Sequence, residues 1–339
     1  MKPTAAILES MSSAPSDTLA ADHETLLRGC GLLDRSDRGK LALTGPEAAE
    51  FLNGQVTNEL ADLAPGEGRY AAFLTHKGKM LGDLRILAPA TLSTDAAPRA
   101  ELLLDTERCA LQSLFDMIRR FKVGYAVEVH KRTLERGLLS LIGPLAPSIA
   151  GAGDIPAAEH SNAWVEIDGI PSLAVRTDVG IDLICESADT SELSEILLAR
   201  GARAVDEQSA ECLRIEHGRP RFGVDLDESV IPQEAGLNKR AVSFTKGCYV
   251  GQETVARLFY KGKPNRILRG LRLSAPAPHG EELRLGERVV GHIGSSALSP
   301  ALGPIALAIV RREAEPGAEV LVGGSGASAS VLELPFPAD

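Results

Sequence analysis

The chemistry in this sequence concentrates in KGCYVGQE, Lys246 to Glu253, where one cysteine stands between a lysine and the start of a helical pattern. Gly247 and Gly251 bracket Cys248 and Tyr249, so the backbone there can turn sharply or approach a neighbour closely. The next residues place Val255, Leu258 and Phe259 at helical spacing, which predicts a helix from about Gln252. Cys248 then sits two residues after a cation and just ahead of a helix N-terminus, a setting that lowers a thiol pKa toward reactivity. Exposed, such a thiolate is a nucleophile or a metal ligand. Buried, the same cysteine is a small apolar side chain in a turn. The octapeptide by itself leaves both readings open.

Other candidates lie to either side. Cys212 and Glu216 fall four residues apart on a predicted helix and so share a face, with Arg219 just beyond. Between Glu253 and Glu281 no acidic residue occurs, while Arg257, Lys261, Lys263, Arg266, Arg269 and Arg272 supply six cations beside Phe259 and Tyr260. That window is a candidate anion site; equally, its side chains can alternate into solvent as separate charges.

The whole chain narrows the function classes. A net charge of −10 argues against a global electrostatic grip on nucleic acid, so direct nucleic-acid binding is not expected. Five single cysteines, with no CxxC, point away from a disulfide framework and a self-contained zinc or cluster site. The seven histidines are isolated in sequence, and no intrinsic metal site is expected. GxGxxG after a strand, GxxxxGK[ST], HExxH and GxSxG are all absent. The apolar runs are too short to span a membrane, and the start lacks the Arg-rich, acid-poor character of a transit peptide. The expectation is a cytoplasmic protein of a reducing compartment, with no membrane partner.

At 339 residues, 44% of them hydrophobic, two or three domains are expected. Residues 1–21 are read as a mobile start and Asp22 to Cys30 as a helix. Gly39 to Thr44, Arg69 to Leu74, Asp83 to Leu87, Glu101 to Leu104, Tyr125 to His130 and Leu138 to Ile142 read as strands. Pro46 opens one helix. Thr106 is positioned to cap another, carrying Leu111, Leu114, Phe115 and Ile118. A polar break covers Ser93 to Arg99. Trp164 to Ile167, Ser172 to Arg176 and Ile181 to Cys185 form an antiparallel set, followed by helices over Ser191 to Arg200 and Asp206 to His217. From Pro264 the texture changes to short strands with Gly and Pro turns, a separate β domain. Single helices among strand runs favour α+β over a doubly wound α/β fold.

Three segments in order, DHETLLRGCGLLDRSDRGKLALTGPEAAEFLNGQVTNEL, CLRIEHGRPRFGVDL and KGCYVGQETVAR, resemble the folate-binding YgfZ family, relatives of the glycine-cleavage T-protein or aminomethyltransferase. The resemblance covers nearly the whole chain from Asp22. It implies a T-protein-like cloverleaf of three domains around a central channel: two interwoven α+β domains over 22–262 and a C-terminal antiparallel β-barrel over 263–339. It also implies a tetrahydrofolate-type ligand. Glu216 matches the T-protein glutamate that hydrogen-bonds the pterin, a role suited to a carboxylate accepting parallel N–H bonds. Glu216, Asn58, Asp83, Gln252 and Arg257 are the candidate folate-binding residues, and Cys248 with Lys246 the candidate reactive pair. Gln252 and Glu253 are placed to orient the turn or cap the helix.

Departures from the transferase pattern shape the functional expectation. Where the T-protein has GGxxDDL this chain has GKMLGDL, so Gly82 replaces one carboxylate and Asp83 remains. The transferase RTGYTGE is reduced to RTDVG, Arg176 to Gly180. The resemblance therefore implies a folate-binding accessory factor for assembly or maintenance of [4Fe–4S] clusters in client enzymes, linked indirectly to tRNA modification. Cys248 would be a transient ligand of a [2Fe–2S] or [4Fe–4S] cluster shared with an assembly scaffold or a client enzyme, since one thiolate cannot hold a cluster. Two alternatives stand beside it: a tetrahydrofolate-dependent aminomethyltransferase or demethylase working through Asp83, and a noncatalytic scaffold with a decayed folate site. Polyglutamyl folate is the anion proposed for Lys261, Lys263 and Arg266.

Overall fold

Short apolar-alternating runs cut by glycine and proline turns become seventeen strands and eight α-helices among the described residues, 16–90, 101–324 and 326–337. In this computed structural model the chain divides into two compact units. One comprises Glu24–Val205 and Leu226–Pro264; the other comprises Met1–His23, Asp206–Asp225 and Asn265–Asp339.

The first unit holds two sheets. A five-stranded antiparallel sheet contains β2 (Gly39–Thr44), β3 (Glu67–Leu74), β4 (Met80–Ala88), β5 (Glu101–Thr106) and β6 (Glu128–Lys131) in the order β3-β4-β5-β2-β6. A six-stranded sheet runs β11-β1-β7-β10-β9-β8. Its members are β1 (Gly31–Asp34), β7 (Arg136–Ile142), β8 (Asn162–Ile167), β9 (Ile170–Arg176), β10 (Gly180–Glu186) and β11 (Arg203–Ala204), antiparallel except for β1 with β11. Leu87 and Leu103 of the first sheet pack with Leu138, Leu173, Val175 and Ile184 of the second. An ion network crosses the same layer. The fully buried Asp105 carboxylate accepts from Arg38 and Arg85, and Arg85 reaches Asp182, which also accepts from Ser140. Burial alone would raise the Asp105 carboxyl; the two guanidinium groups outweigh it and hold it well below the usual range.

The helices are α1 (Asp17–Arg28), α2 (Ala48–Asn53), α3 (Leu111–Phe121), α4 (Ala146–Ile149), α5 (Thr190–Ala199), α6 (Glu207–Glu216), α7 (Asn238–Ala241) and α8 (Gln252–Lys261). Helix α1 begins five residues before the expected start, because the Ser16 hydroxyl accepts the Leu19 N–H as an N-cap. Residues 17–21 are thus helical rather than part of a mobile start; residues 1–15 and the polar break at Ser93 to Arg99 lie outside the described residues. Thr106 does not cap α3. Its hydroxyl donates to the Asp83 carbonyl, and a 3-10 turn at Arg108–Ala110 leads into the helix.

The second unit is a closed antiparallel barrel with α6 packed on it. Its strands are β12 (Arg266–Leu273), β13 (Glu282–Leu285), β14 (Arg288–Ser299), β15 (Gly303–Arg311), β16 (Glu319–Val322) and β17 (Ala327–Leu332), closing in the order β12-β15-β14-β13-β16-β17. Leu271, Leu283, Ile293, Val310 and Val331 fill the interior. Ile215 of α6 packs on Leu268, Ile305, Leu307 and Phe336. Asp225 ties the same segment to β14, accepting from the Ser295 backbone N–H and hydroxyl and from Arg214.

Candidate active site around Asp83

Strands β3 and β4 form a hairpin whose register sets Ala72 opposite Asp83 and Phe73 opposite Gly82. Residues two apart on a strand share a face, so Tyr70 lies beside Asp83. The Tyr70 hydroxyl donates to Asp83 Oδ2 at 2.7 Å. Asp83 is 7% exposed, and burial raises its carboxyl from 3.8 to about 6, against the opposing effect of the Tyr70 hydrogen bond. The Tyr70 ring is held from outside as well. The Arg240 guanidinium carbon lies 5.0 Å from its centroid, and Glu159 accepts from Arg240. His160, buried beside Tyr70 at 6.3 Å between ring centres, is kept neutral down to about pH 3 by burial and by Arg85 and Arg240.

Asn58 joins this cluster through its amide, which donates to the carbonyls of Tyr70 and Arg240 at 2.9 and 3.2 Å. Its own carbonyl accepts from Lys246 Nζ at 2.6 Å. Lys246 also donates to the carbonyls of Asn53 and Val56, so all three ammonium donors are committed to the 53–58 segment. Burial pulls this lysine down to about 8, with Glu59 opposing. Separate hydrogen bonds therefore tie the four residues together: Asp83 to the Tyr70 hydroxyl, the Tyr70 backbone carbonyl to the Asn58 amide, and the Asn58 backbone carbonyl to Lys246.

Cys248 is exposed, while its neighbours Lys246 and Tyr249 are both 7% exposed. The two buried side chains anchor the turn and leave the thiol facing out. Gly251 then takes φ +84° at the N-cap of α8, where an added Cβ would meet the Thr75 carbonyl oxygen at 2.6 Å. This close approach docks the cysteine turn on the tip of the β3–β4 hairpin that carries Asp83. Helix α8 begins at Gln252 as predicted from sequence. No side chain caps it; Gln252 Nε2 instead donates to the Gly247 carbonyl. Arg257 is exposed on α8, with Phe259, Tyr260 and Lys261, and Lys263 is exposed just beyond its end; Phe244 stacks on Phe259 at 3.7 Å. The other three cations of the basic window lie on β12, in the barrel unit, where Arg269 is 4.0 Å from Glu333.

Glu216 lies in the barrel unit, at the C-terminal end of α6. Both its oxygens are 2.9 Å from His23 Nε2, and Oε1 also accepts from the Ser299 hydroxyl. Burial would raise this carboxyl, but His23 and Ser299 outweigh it and hold it below the ordinary value. A pterin edge at Glu216 would compete with these donors for the same two oxygens.

Sequence reasoning named Asp83, Asn58 and Lys246 but missed Tyr70, Arg240 and His160 in this cluster, and His23 and Ser299 around Glu216. The Tyr70 signal was present: pairing the two predicted strands across the Lys77–Gly78–Lys79 turn places an aromatic hydroxyl next to the surviving carboxylate. Gly82 is also explained by packing. A Cβ there would meet the Phe73 ring carbons at 2.6 Å and Ala110 Cβ at 2.7 Å, so the volume of a second carboxylate is already filled.

A buried carboxyl with a phenol donor on one strand hairpin, in a chain that combines a two-sheet α+β unit with a closed six-stranded barrel, defines a class. The glycine cleavage T-protein N-terminal domain family, GCVT, matches residues 9–246, and the T-protein C-terminal barrel domain matches residues 266–337. The chain belongs to this T-protein family. It is 32% identical over 343 residues to an aminomethyltransferase of Streptomyces avermitilis, covering 93% of this chain and 88% of that protein. It is 29% identical over 330 residues to one of Rubrobacter xylanophilus, covering 94% and 86%. The crystal structure of glycine cleavage system aminomethyltransferase T from Bartonella henselae superposes with a TM-score of 0.82 at 25% identity, covering 94% of this chain and 89% of that one. These comparisons bear out the T-protein-like α+β fold with its C-terminal barrel; they support the T-protein family rather than the YgfZ branch in particular. Among the described residues, no helix is long and apolar enough to cross a membrane.

Proposed function

We propose that the chain binds a reduced folate as substrate and moves a one-carbon unit to or from it, as an aminomethyltransferase or a related demethylase. The observation that carries this reading is Asp83, a buried carboxyl raised to about 6 and fixed by Tyr70. Such a group can both give and take a proton near neutral pH, which is what an amine nitrogen requires as it gains or loses a one-carbon substituent. Tyr70 fixes one carboxyl oxygen, while Asn58 and Arg240 fix Tyr70. With Gly82 in place of a second carboxylate, Asp83 carries the proton chemistry alone. The test is calorimetric titration of tetrahydrofolate into wild type and Asp83→Asn from pH 5 to 8, with Trp164 fluorescence as a second signal. A wild-type affinity that changes with a midpoint near pH 6, flattened in the variant, supports the role. Absence of binding by the wild type removes it.

A second reading rests on a different observation, the exposed Cys248 on a turn anchored by Lys246 and Tyr249. Here the protein is a folate-binding accessory factor for [4Fe–4S] clusters, with the thiolate as a transient ligand and a partner protein completing the set. If Cys248→Ala leaves [4Fe–4S] enzyme activity in oxidatively stressed cells at the wild-type level, this reading is lost. The relatives' activity favours the first reading.

A further inference from the structure

Glu216 is a carboxylate in an unfavourable place, and the donors around it decide what it can hold. It closes α6, at the helix end whose carbonyls and dipole disfavour negative charge. Two side chains in the barrel unit offset this. Ser299, at the end of β14, gives its hydroxyl hydrogen to Glu216 Oε1, while its own oxygen accepts the N–H groups of Ala301 and Leu302 at 3.0 and 2.9 Å. One donor and two acceptor sites are all that a serine has, so its orientation is fixed. His23 of α1 stands with Nε2 2.9 Å from both carboxylate oxygens, so a single N–H is shared between them. Burial pushes the carboxyl up, and these donors outweigh it.

A carboxylate offers about four acceptor sites, two on each oxygen. Ser299 takes one on Oε1. With His23 settled on Oε2 alone, one site remains on each oxygen, the pair that two parallel N–H donors require. A ligand therefore displaces His23 from one oxygen and leaves it on the other. Cys212, with Sγ 3.6 Å from Oε1, adds only a weak thiol contact that an N–H donor replaces. The Glu216 side chain keeps 11% of its surface exposed against 5% for His23, so the carboxylate is the member a ligand reaches. We propose that His23 and Ser299 are positioning residues for pterin recognition, each holding one Glu216 oxygen so that the remaining two acceptor sites face the 2-amino and N3 hydrogens of a reduced folate. The inference rests on the reading that the chain binds a reduced folate, and it gives these two side chains a part in choosing the ligand. A ring with two N–H groups side by side fills both sites, whereas one lacking the 2-amino group leaves an oxygen unpaired.

The test is calorimetric titration of the full chain with tetrahydrofolate and with its analogue lacking the 2-amino group. Wild type is compared with His23→Gln, His23→Leu, Ser299→Ala and Glu216→Gln, each checked for folding by urea unfolding. Gln keeps a terminal N–H donor where Leu has none. His23→Leu and Ser299→Ala should each bind tetrahydrofolate at least about tenfold more weakly, because a hydrogen bond to a charged group is lost. His23→Gln should stay within about threefold of wild type. The preference for the 2-amino compound should shrink in the same two weakened variants, whereas general damage to the fold weakens both ligands alike. A folded His23→Leu or Ser299→Ala that keeps wild-type affinity and preference overturns the inference, and a weakened Glu216→Gln beside it leaves pterin recognition at Glu216 standing. Tetrahydrofolate bound equally by wild type and Glu216→Gln, or not bound by wild type, overturns both.

Discussion

Replacing Asp83 with Asn tests the buried carboxyl through stability, with no assumption about substrate. Burial raises this group from 3.8 in the unfolded chain to about 6 in the folded protein. Below about pH 3 both states hold the proton and the group is neutral with respect to folding. Between the two values the unfolded chain ionises while the folded one resists, so stability falls as pH rises. Above about pH 7 the loss is complete, and two pH units correspond to about 3 kcal/mol. Asn is uncharged at every pH and still offers an oxygen to Tyr70, so the variant escapes this loss. Urea unfolding from pH 4 to 8 is the assay. The variant should exceed the wild type by only about 0.5 kcal/mol near pH 4 and by about 2–3 kcal/mol at pH 7.5. If Asp83→Asn is destabilised across the range, or its difference from wild type is independent of pH, the carboxyl is not held as described. A gain in stability with a loss of activity is the pattern expected of a functional group held at a cost to the fold.

Three further predictions concern the surrounding framework. Lys246→Met strands the carbonyls of Asn53, Val56 and Asn58 without their shared donor, and thermal or urea unfolding should record a loss of about 3 kcal/mol or more. Native protein should react rapidly with a thiol reagent at two positions, Cys109 and Cys248, and at all five only in denaturant; rapid labelling of Cys30, Cys185 or Cys212 would contradict the described packing. Gly82→Asp should lower the melting temperature rather than restore a transferase-like carboxylate pair, because Phe73 and Ala110 occupy the space its side chain needs.

Local pattern carried the strands and the helix at Gln252, because alternation and helical spacing are properties of neighbouring residues. It also carried Cys248 as a candidate, whereas Asp83 and Asn58 are candidates only through the family resemblance. What it could not carry were partners chosen by long-range packing. Lys246 and Cys248 are two residues apart, yet one is buried and the other exposed, since the first is held by a segment 188–193 residues earlier in the chain. The sequence setting suggested an ammonium serving the thiol, whereas its donors serve backbone carbonyls. Glu216 reads as a helix carboxylate with open acceptors, and only the return of the chain from His23 and Ser299 to α6 occupies them. Gly82 reads as a lost carboxylate; the facing Phe73 ring shows that the replacement is built into the packing.

The central claim, that Asp83 handles a proton during one-carbon chemistry on a reduced folate, is tested most directly by methylene transfer to tetrahydrofolate with purified protein. Wild type should catalyse it with a pH dependence centred near 6, and Asp83→Asn, folded and still binding folate, should lose at least about a hundredfold. Transfer at the wild-type rate by Asp83→Asn, or no transfer by a wild-type protein that binds tetrahydrofolate, would contradict it.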